Sequence, residues 1–267
     1  MAEKADFSGV AWGSVEWTML CTLYLRAYEY RSGHTVLGDR AAAEAVDRIT
    51  YDFPRMKRWL RPKGNQFLVA LRARRFDIWA ADFIKRHPDA VVLHLGCGLD
   101  SRVFRVDPPD GVDWFDVDTP DVIAMRRKIF DERDGYRMIG SSVTEPGWLA
   151  EIPEGRAALV VAEGLLPYLT AAEVRTLLDR ITTRFGVGEL MFDGLPRWVV
   201  RMSKIQHWGV RDGHEIERWN PRMRLAERTT PMADYARIPL RPQRWEFRMF
   251  NAMGPMGRSS QSFRFTF

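Results

Sequence analysis

With 267 residues, 46% of them apolar and 12% aromatic, the chain is long enough to bury a large α/β core, which excludes a disordered protein. Lysine and arginine number 40 against 35 acids, a formal charge of +5, and the two signs are interspersed, which argues against a nucleic-acid-binding arm. Only Cys21 and Cys97 occur, too few for a disulfide framework or a zinc cluster, and no apolar run approaches the roughly twenty residues that span a bilayer. The start Met-Ala-Glu-Lys-Ala-Asp lacks the apolar stretch of a signal peptide, so a cytoplasmic protein with no membrane and no nucleic-acid partner is expected.

The first predicted element is a helix from about Ser14 to Tyr30, with Val15, Met19, Thr22, Leu23 and Ala27 on one face. A second helix covers Ala41 to Ile49, after a loop marked by Gly33 and Gly38, and together they read as a helical cap. From Phe67 to Arg86 the residues Phe76, Trp79, Ala80, Phe83 and Ile84 repeat at helical spacing. A buried strand, Val91 to Leu95, then runs into the turn Gly96-Cys97-Gly98-Leu99-Asp100. The second strand ends in acids, Asp116 and Asp118, before a helix that Thr119-Pro120 opens and that runs to Phe130. Strands follow at Tyr136–Ile139, at Ala157–Ala162 and at Gly188–Phe192. Thr170-Ala171-Ala172-Glu173 has the form of a capping box before an intervening helix. The Trp-, Arg- and His-rich segment from Pro196 to Asn220 resists assignment, and Ser262–Phe267 alternates as an edge or antiparallel strand. Alternating strands and helices predict a doubly wound, mostly parallel α/β sheet. The chain is expected to form one domain: cap 1–66, core 67–195, and substrate lid with terminal strands 196–267.

A Gly-x-Gly turn after a strand is a nucleotide-type binding feature, with the second strand's acid placed to accept hydrogen bonds from ribose hydroxyls. Here Ser101 stands where the third glycine of a dinucleotide fingerprint would fall. Asp100 lies near the start of the next helix, where a pyrophosphate would need positive potential. A carboxylate there favours a phosphate-free ligand with a positive centre, S-adenosylmethionine (SAM), over NAD. Asp116 and Asp118 could instead cap the following helix, Arg72, Arg74 and Arg75 could be an exposed face, and Cys97 reads as a space-filler rather than a nucleophile. His94, among apolar neighbours, reads as a core histidine.

The sequence resembles the leucine carboxyl methyltransferase-like family, which includes polyketide O-methyltransferases of the tetracenomycin type. The resemblance runs through Leu23-Tyr24-x-Arg26-Ala27-x-Glu29, Arg72-Ala73-Arg74-Arg75-Phe76-Asp77, Leu95-Gly96-Cys97-Gly98-Leu99-Asp100-Ser101-Arg102 and Trp114-Phe115-Asp116-Val117-Asp118-Thr119-Pro120. It continues in Ile139-Gly140-Ser141-Ser142-Val143, Glu163-Gly164-Leu165-Leu166-Pro167-Tyr168 and Asp212-Gly213-x-Glu215-Ile216-Glu217-x-Trp219. It implies a class I Rossmann-like methyltransferase using SAM. Gly96 and Gly98 would pass beside the amino-acid part of SAM, and Asp118, with Asp116 as runner-up, would bind ribose. Glu163 would face the SAM site, and Arg72 and Arg26 would hold its carboxylate. Ser142, flanked by Val143, stands where relatives that modify proteins carry an acid near the adenine, which points to the small-molecule branch. The implied activity is O-methylation of a carboxylate or phenolic hydroxyl of a polyketide-like secondary metabolite. The alternatives are a carboxyl methyltransferase acting on a protein C-terminus or a non-catalytic SAM-binding protein. A carboxylate acceptor is already ionised, whereas a phenol, with a pKa of about 10, gains from a base. Tyr168 and His207 are the candidate catalytic groups, His214 a second possible base, and Trp198 and Arg201 candidates for the acceptor pocket. No metal is expected, and a homo-oligomer is compatible with the sequence.

Overall fold

The computed structural model describes residues 4–253 and 260–267, so parts of the expected N- and C-terminal regions lie outside it. The chain opens with β1 (Ala5–Asp6), then α1 (Val15–Arg31), α2 (Arg40–Asp47), β2 (Ile49–Thr50), α3 (Phe53–Leu60) and α4 (Pro62–Arg86). The Ser14 hydroxyl accepts from the Trp17 N–H and the Asp39 carboxylate from the Ala42 N–H, so polar side chains satisfy otherwise orphaned amides at the starts of α1 and α2. The second helix stops at Asp47, because Ile49 and Thr50 leave it to pair in parallel with β1. α4 begins at Pro62, upstream of the predicted Phe67, with proline in its first turn where no amide partner is needed. α1 packs against α2, α3 and α4, and this helical layer covers the end of the central sheet.

The core follows as β3 (Val91–Leu95), α5 (Arg102–Val106), β4 (Asp113–Asp118), α6 (Pro120–Arg126), β5 (Tyr136–Gly140), β6 (Ala158–Ala162), α7 (Ala171–Arg184) and β7 (Gly188–Gly194). It is completed by α8 (Arg197–Val200), α9 (His214–Trp219), β8 (Arg224–Thr229), α10 (Arg241–Ala252) and β9 (Gln261–Thr266). The predicted helix to Phe130 ends at Arg126, and the segment from Pro196 to Asn220 holds only the short α8 and α9. The seven strands lie in the order β5-β4-β3-β6-β7-β9-β8. Those from β3 to β7 are parallel, and β9 is antiparallel to both β7 and β8. β9 is thus interior, not an edge; β8 takes the edge.

β3, β6 and β7 are buried along their whole length, as apolar runs covered on both faces require. One face packs on Phe76, Trp79 and Phe83 of α4 and on the cap; the other packs on Leu177, Leu178 and Ile181 of α7. Each fully buried Val, Leu or Phe contributes about 1.5–3 kcal/mol, so these layers fix the sheet rigidly. Phe263 and Phe265 of β9 stack on Phe192 of β7, which draws the terminal strand inward. β3 pairs with β4 on one side and with β6 on the other, so the strand order reverses there. The crevice at the carboxyl ends of β3, β4 and β6 is the place where doubly wound sheets bind ligands.

Candidate active site

That crevice opens into a cavity of about 330 Å³, lined by Gly96, Cys97, Gly98, Leu99 and Asp100 after β3, Asp118 and Thr119 after β4, and Glu163, Gly164, Leu165 and Tyr168 after β6. α1 and α4 close it with Met19, Thr22, Arg26 and Arg72. Gly96 and Gly98 have φ of +62° and +50°, in the left-handed region that disfavours side chains. A Cβ on Gly96 would lie 2.9 Å from Leu165 Cδ1, and one on Gly98 3.1 Å from Met19 Cβ, so a side chain at either glycine would also press on the residues packed closely against the loop. The Gly98 N–H donates to Asp118 Oδ2 at 2.8 Å, and the Thr119 N–H to Asp118 Oδ1 at 2.8 Å. Burial nevertheless lifts the Asp118 carboxyl above its ordinary pKa, against the pull of those two amides.

Beneath the cavity runs a continuous network of opposite charges. Asp100 Oδ1 lies 2.9 Å from Arg105 NH1 and 3.6 Å from Arg26 NH1, and its Oδ2 is 3.3 Å from Arg102 NH2. Burial works against the Asp100 carboxylate, but Arg102, Arg105 and Arg26 outweigh it and hold its pKa well below the usual range. Arg102 also bonds Asp77 and Glu163, and Arg105 bonds Asp77 and Asp39. Arg72 closes the chain, its Nε 2.8 Å from Glu163 and its NH1 2.9 Å from Asp193. Burial opposes the Arg72 charge too, but Asp193 and Glu163 keep the guanidinium above its ordinary range.

Of the residues singled out from the sequence, Arg26, Arg72, Gly96, Gly98, Asp118, Glu163 and Tyr168 line the cavity together. Asp116 does not. It is fully buried one pleat back on β4, where its carboxylate accepts from Trp114 Nε1 and Tyr136 Oη and pairs with Arg126 and His94. Ser142 and Val143 follow β5, one strand further out. The Ser142 hydroxyl meets Thr144 Oγ1 at 2.8 Å, Val143 is buried in the core, and neither is on the cavity wall. His207 does not reach the cavity either. Its backbone N–H is tied to the Pro167 carbonyl at 2.7 Å while its ring stays exposed. His214 is exposed and bonded to Glu217, and Arg201 is exposed.

Trp198 lines a second, largely apolar cavity of about 380 Å³ with Leu68, Met232, Phe247 and Phe250. Leu68 lies one helical turn before Arg72 on α4, so the two cavities adjoin the same helix face. Burial pushes the Cys97 thiol well up, with nearby acids adding to it, so it is a packed group and not a thiolate. Among the described residues no group of three or more His, Cys, Asp or Glu could hold a metal ion, and no helix is long and apolar enough to cross a membrane. The sequence reading missed the pairing of Asp39, Asp77, Arg102 and Arg105. Its trace is the recurrence of Asp77 and Arg102 in the stretches that carry the family resemblance.

A doubly wound sheet with an antiparallel β9, a glycine turn after β3 and an acid at the end of β4 define a class I Rossmann-like methyltransferase. A crystal structure from Thermobifida fusca YX, of a protein assigned as a methyltransferase, has the same fold: TM-score 0.55, 17% identity, 90% of this chain and 93% of that one. Residues 21–140 match the leucine carboxyl methyltransferase family. Tetracenomycin polyketide synthesis O-methyltransferase TcmP of Streptomyces glaucescens is 41% identical over 261 residues, covering 94% of this chain and 96% of its own. The SAM-dependent methyltransferase dpfgK of Gibberella zeae is 37% identical over 263 residues, covering 87% and 88%. The chain belongs to the leucine carboxyl methyltransferase family and is a SAM-dependent methyltransferase.

Proposed function

We propose that this enzyme methylates a carboxylate or phenolic hydroxyl of a small, aromatic, polyketide-like secondary metabolite in the cytoplasm, as one domain of cap (1–66), core (67–195) and lid with terminal strands (196–267). The observation that carries the reading is the 41% identity to a polyketide O-methyltransferase, which extends over cap, core and lid alike. A protein C-terminus would call for an open groove. The apolar cavity between Leu68, Trp198 and Phe247 instead suits a flat hydrophobic molecule. Free, buried Cys21 and Cys97 agree with a reducing compartment.

The cavity fits SAM, because the backbone of Gly96 and Gly98 forms part of its wall and its lining carries both acids and guanidinium groups. When bound, SAM supplies a methyl group already activated on a positively charged sulfur. Gly96 and Gly98 would lie against its amino-acid part and Asp118 would accept from its ribose hydroxyls. Ser142 and Val143 would lie on the adenine side, and Glu163 would help to frame the site. Arg72, with 21% of its side chain exposed, is the better placed of the two arginines for the carboxylate. Arg26, at 3% and bonded to the Leu99 carbonyl at 3.3 Å, supports the loop from below. Tyr168, on the 3₁₀ turn Leu166–Tyr168, would orient the acceptor oxygen at the cavity rim. These residues contribute by positioning and by keeping water from the reacting pair. A carboxylate acceptor needs no base, which accords with His207 lying outside the cavity.

Incubation with SAM and a panel of polycyclic phenols, aromatic acids and a leucine-terminated peptide, read by mass spectrometry, tests the proposal. Methyl gain on a polycyclic acceptor is expected. Methylation of the peptide alone would overturn it.

A further inference from the structure

Arg126, Asp116 and Tyr136, none of them on the cavity wall, form a buried cluster, and through Arg126 it reaches the glycine loop. Arg126, at the end of α6, is fully buried, and its NH1 donates to the Gly98 carbonyl at 3.1 Å. The rest of its guanidinium is held in place. Nε and NH2 donate to Tyr136 Oη at 3.2 and 3.1 Å, NH2 pairs with Asp116 Oδ2 at 2.5 Å, and the guanidinium carbon lies 4.8 Å over the Phe130 ring. The Tyr136 hydroxyl in turn donates to Asp116 Oδ2 at 2.7 Å, and His94 Nδ1 lies 2.9 Å from Asp116 Oδ1. Burial disfavours the Asp116 carboxylate, but Arg126 and His94 outweigh it, so the acid stays ionised and the pair is fully charged. A buried cation is costly unless its donors are satisfied. Here one of those donors is directed to the loop rather than to a partner acid.

The backbone of Gly98 is thereby held at both of its peptide groups, by Asp118 at the N–H of the one before it and by Arg126 at the carbonyl of the one after it. We propose that Arg126, oriented by Asp116 and Tyr136, is a positioning residue that sets the Gly96–Gly98 loop and, through Gly98, the carboxylate of Asp118 for SAM. This rests on SAM lying against that loop. A fixed guanidinium with planar donors can reach the Gly98 carbonyl, Asp116 and Tyr136 at once. A lysine keeps the charge but not that geometry. The placement also gives Asp116, which the sequence offered as a ribose ligand, a different role, that of anchoring the clamp.

The test is calorimetric titration of SAM and S-adenosylhomocysteine into wild type, Arg126→Lys and Tyr136→Phe, with steady-state KM values for SAM and acceptor and a thermal melt of each. Arg126→Lys should weaken both adenosyl ligands about tenfold, as expected for a lost charged hydrogen bond. Tyr136→Phe, which keeps the guanidinium and removes only one support, should weaken them by a smaller factor. Acceptor KM should stay within about twofold of wild type in both, since neither residue faces the acceptor. A purely structural ion pair would lower the melting temperature and leave SAM affinity unchanged. That result in Tyr136→Phe would overturn the proposal even if Arg126→Lys failed to fold. Absence of SAM binding by the wild type would instead remove the cofactor placement on which the inference rests.

Discussion

Asp118 illustrates how one residue can serve ligand binding at the expense of the fold. Burial raises its pKa, so the folded state prefers the protonated acid and the carboxylate costs stability at every pH above its unfolded value. Ribose hydroxyls, as donors, require the opposite, the ionised form. SAM affinity should therefore be constant near neutrality and fall as the pH drops through the raised Asp118 pKa. Asp118→Asn, whose side chain can accept from only one of the Gly98 and Thr119 amides, should weaken SAM about tenfold and flatten that pH dependence. Titration calorimetry over a pH series checks both halves; a lower affinity with the wild-type pH slope retained would assign the slope to another group. The neighbouring placements explain what the sequence could and could not reveal at this scale. The places of Asp118, Gly96 and Gly98 on the cavity wall were legible because strand ends and glycine turns have fixed places in a doubly wound sheet, whereas Glu163 was marked by the family resemblance. Asp116 shares a face with Asp118 by alternation, but one pleat of depth separates a cavity wall from a buried ion pair. Nothing in the local sequence records that depth. Likewise the chain carries His207 past Pro167 by its backbone, and no spacing rule could say that its ring would face outward.

At the scale of elements, legibility followed burial. β3, β6 and β7 read as apolar runs because both faces are covered, and α7 read clearly because Val174, Leu177, Leu178 and Ile181 make one buried stripe. β8 was missed: Arg224-Leu-Ala-Glu-Arg-Thr is charged, alternates only weakly, and is recruited by β9 as an edge. α10 was also missed, although Trp245, Phe247 and Phe250 recur in it, and only Phe247 of them is buried; β1 and β2 are two residues each. α7 also permits a direct check, since its capping box is complete. Thr170 Oγ1 accepts from the Glu173 N–H at 3.3 Å, and Glu173 Oε2 accepts from the Thr170 N–H at 2.7 Å. Thr170→Ala should cost about 1 kcal/mol of unfolding free energy in urea without changing SAM affinity, because the box lies beyond the cavity wall. A loss below about 0.3 kcal/mol would mean that α7 is held by its packing alone.

For the whole molecule, the decisive feature is that the N-terminal helices, the sheet core and the C-terminal segment are joined by charge as well as by apolar contact. Arg26 of α1 reaches Asp100, Arg75 of α4 bonds Asp234, and the α4 residues Arg72 and Asp77 meet arginines after β3, an acid after β6 and Asp193 near the end of β7. The trend of these carboxyls with pH is not uniform. Burial opposes ionisation at Asp100, Asp116 and Glu163, but facing arginines win and lower their pKa values. At Asp193 and Asp118 burial prevails and raises them. The lowered groups contribute stability that is fully present above their unfolded pKa of about 4 and is lost as the pH falls through their folded values. The raised groups act in the reverse sense, so acidification through their own titration relieves a cost before the lowered groups are protonated. The unliganded enzyme should therefore keep its stability from neutrality down to about pH 5 and unfold steeply only below about pH 4. Arg102→Met leaves Asp100 and Glu163 without the guanidinium they share, so at least one of these two acids should be driven to protonate and the onset should move to higher pH. Chemical denaturation of both proteins across this range measures the shift. An unchanged acid onset in Arg102→Met would show that the network is compensated locally and does not couple the N-terminal helices to the sheet core.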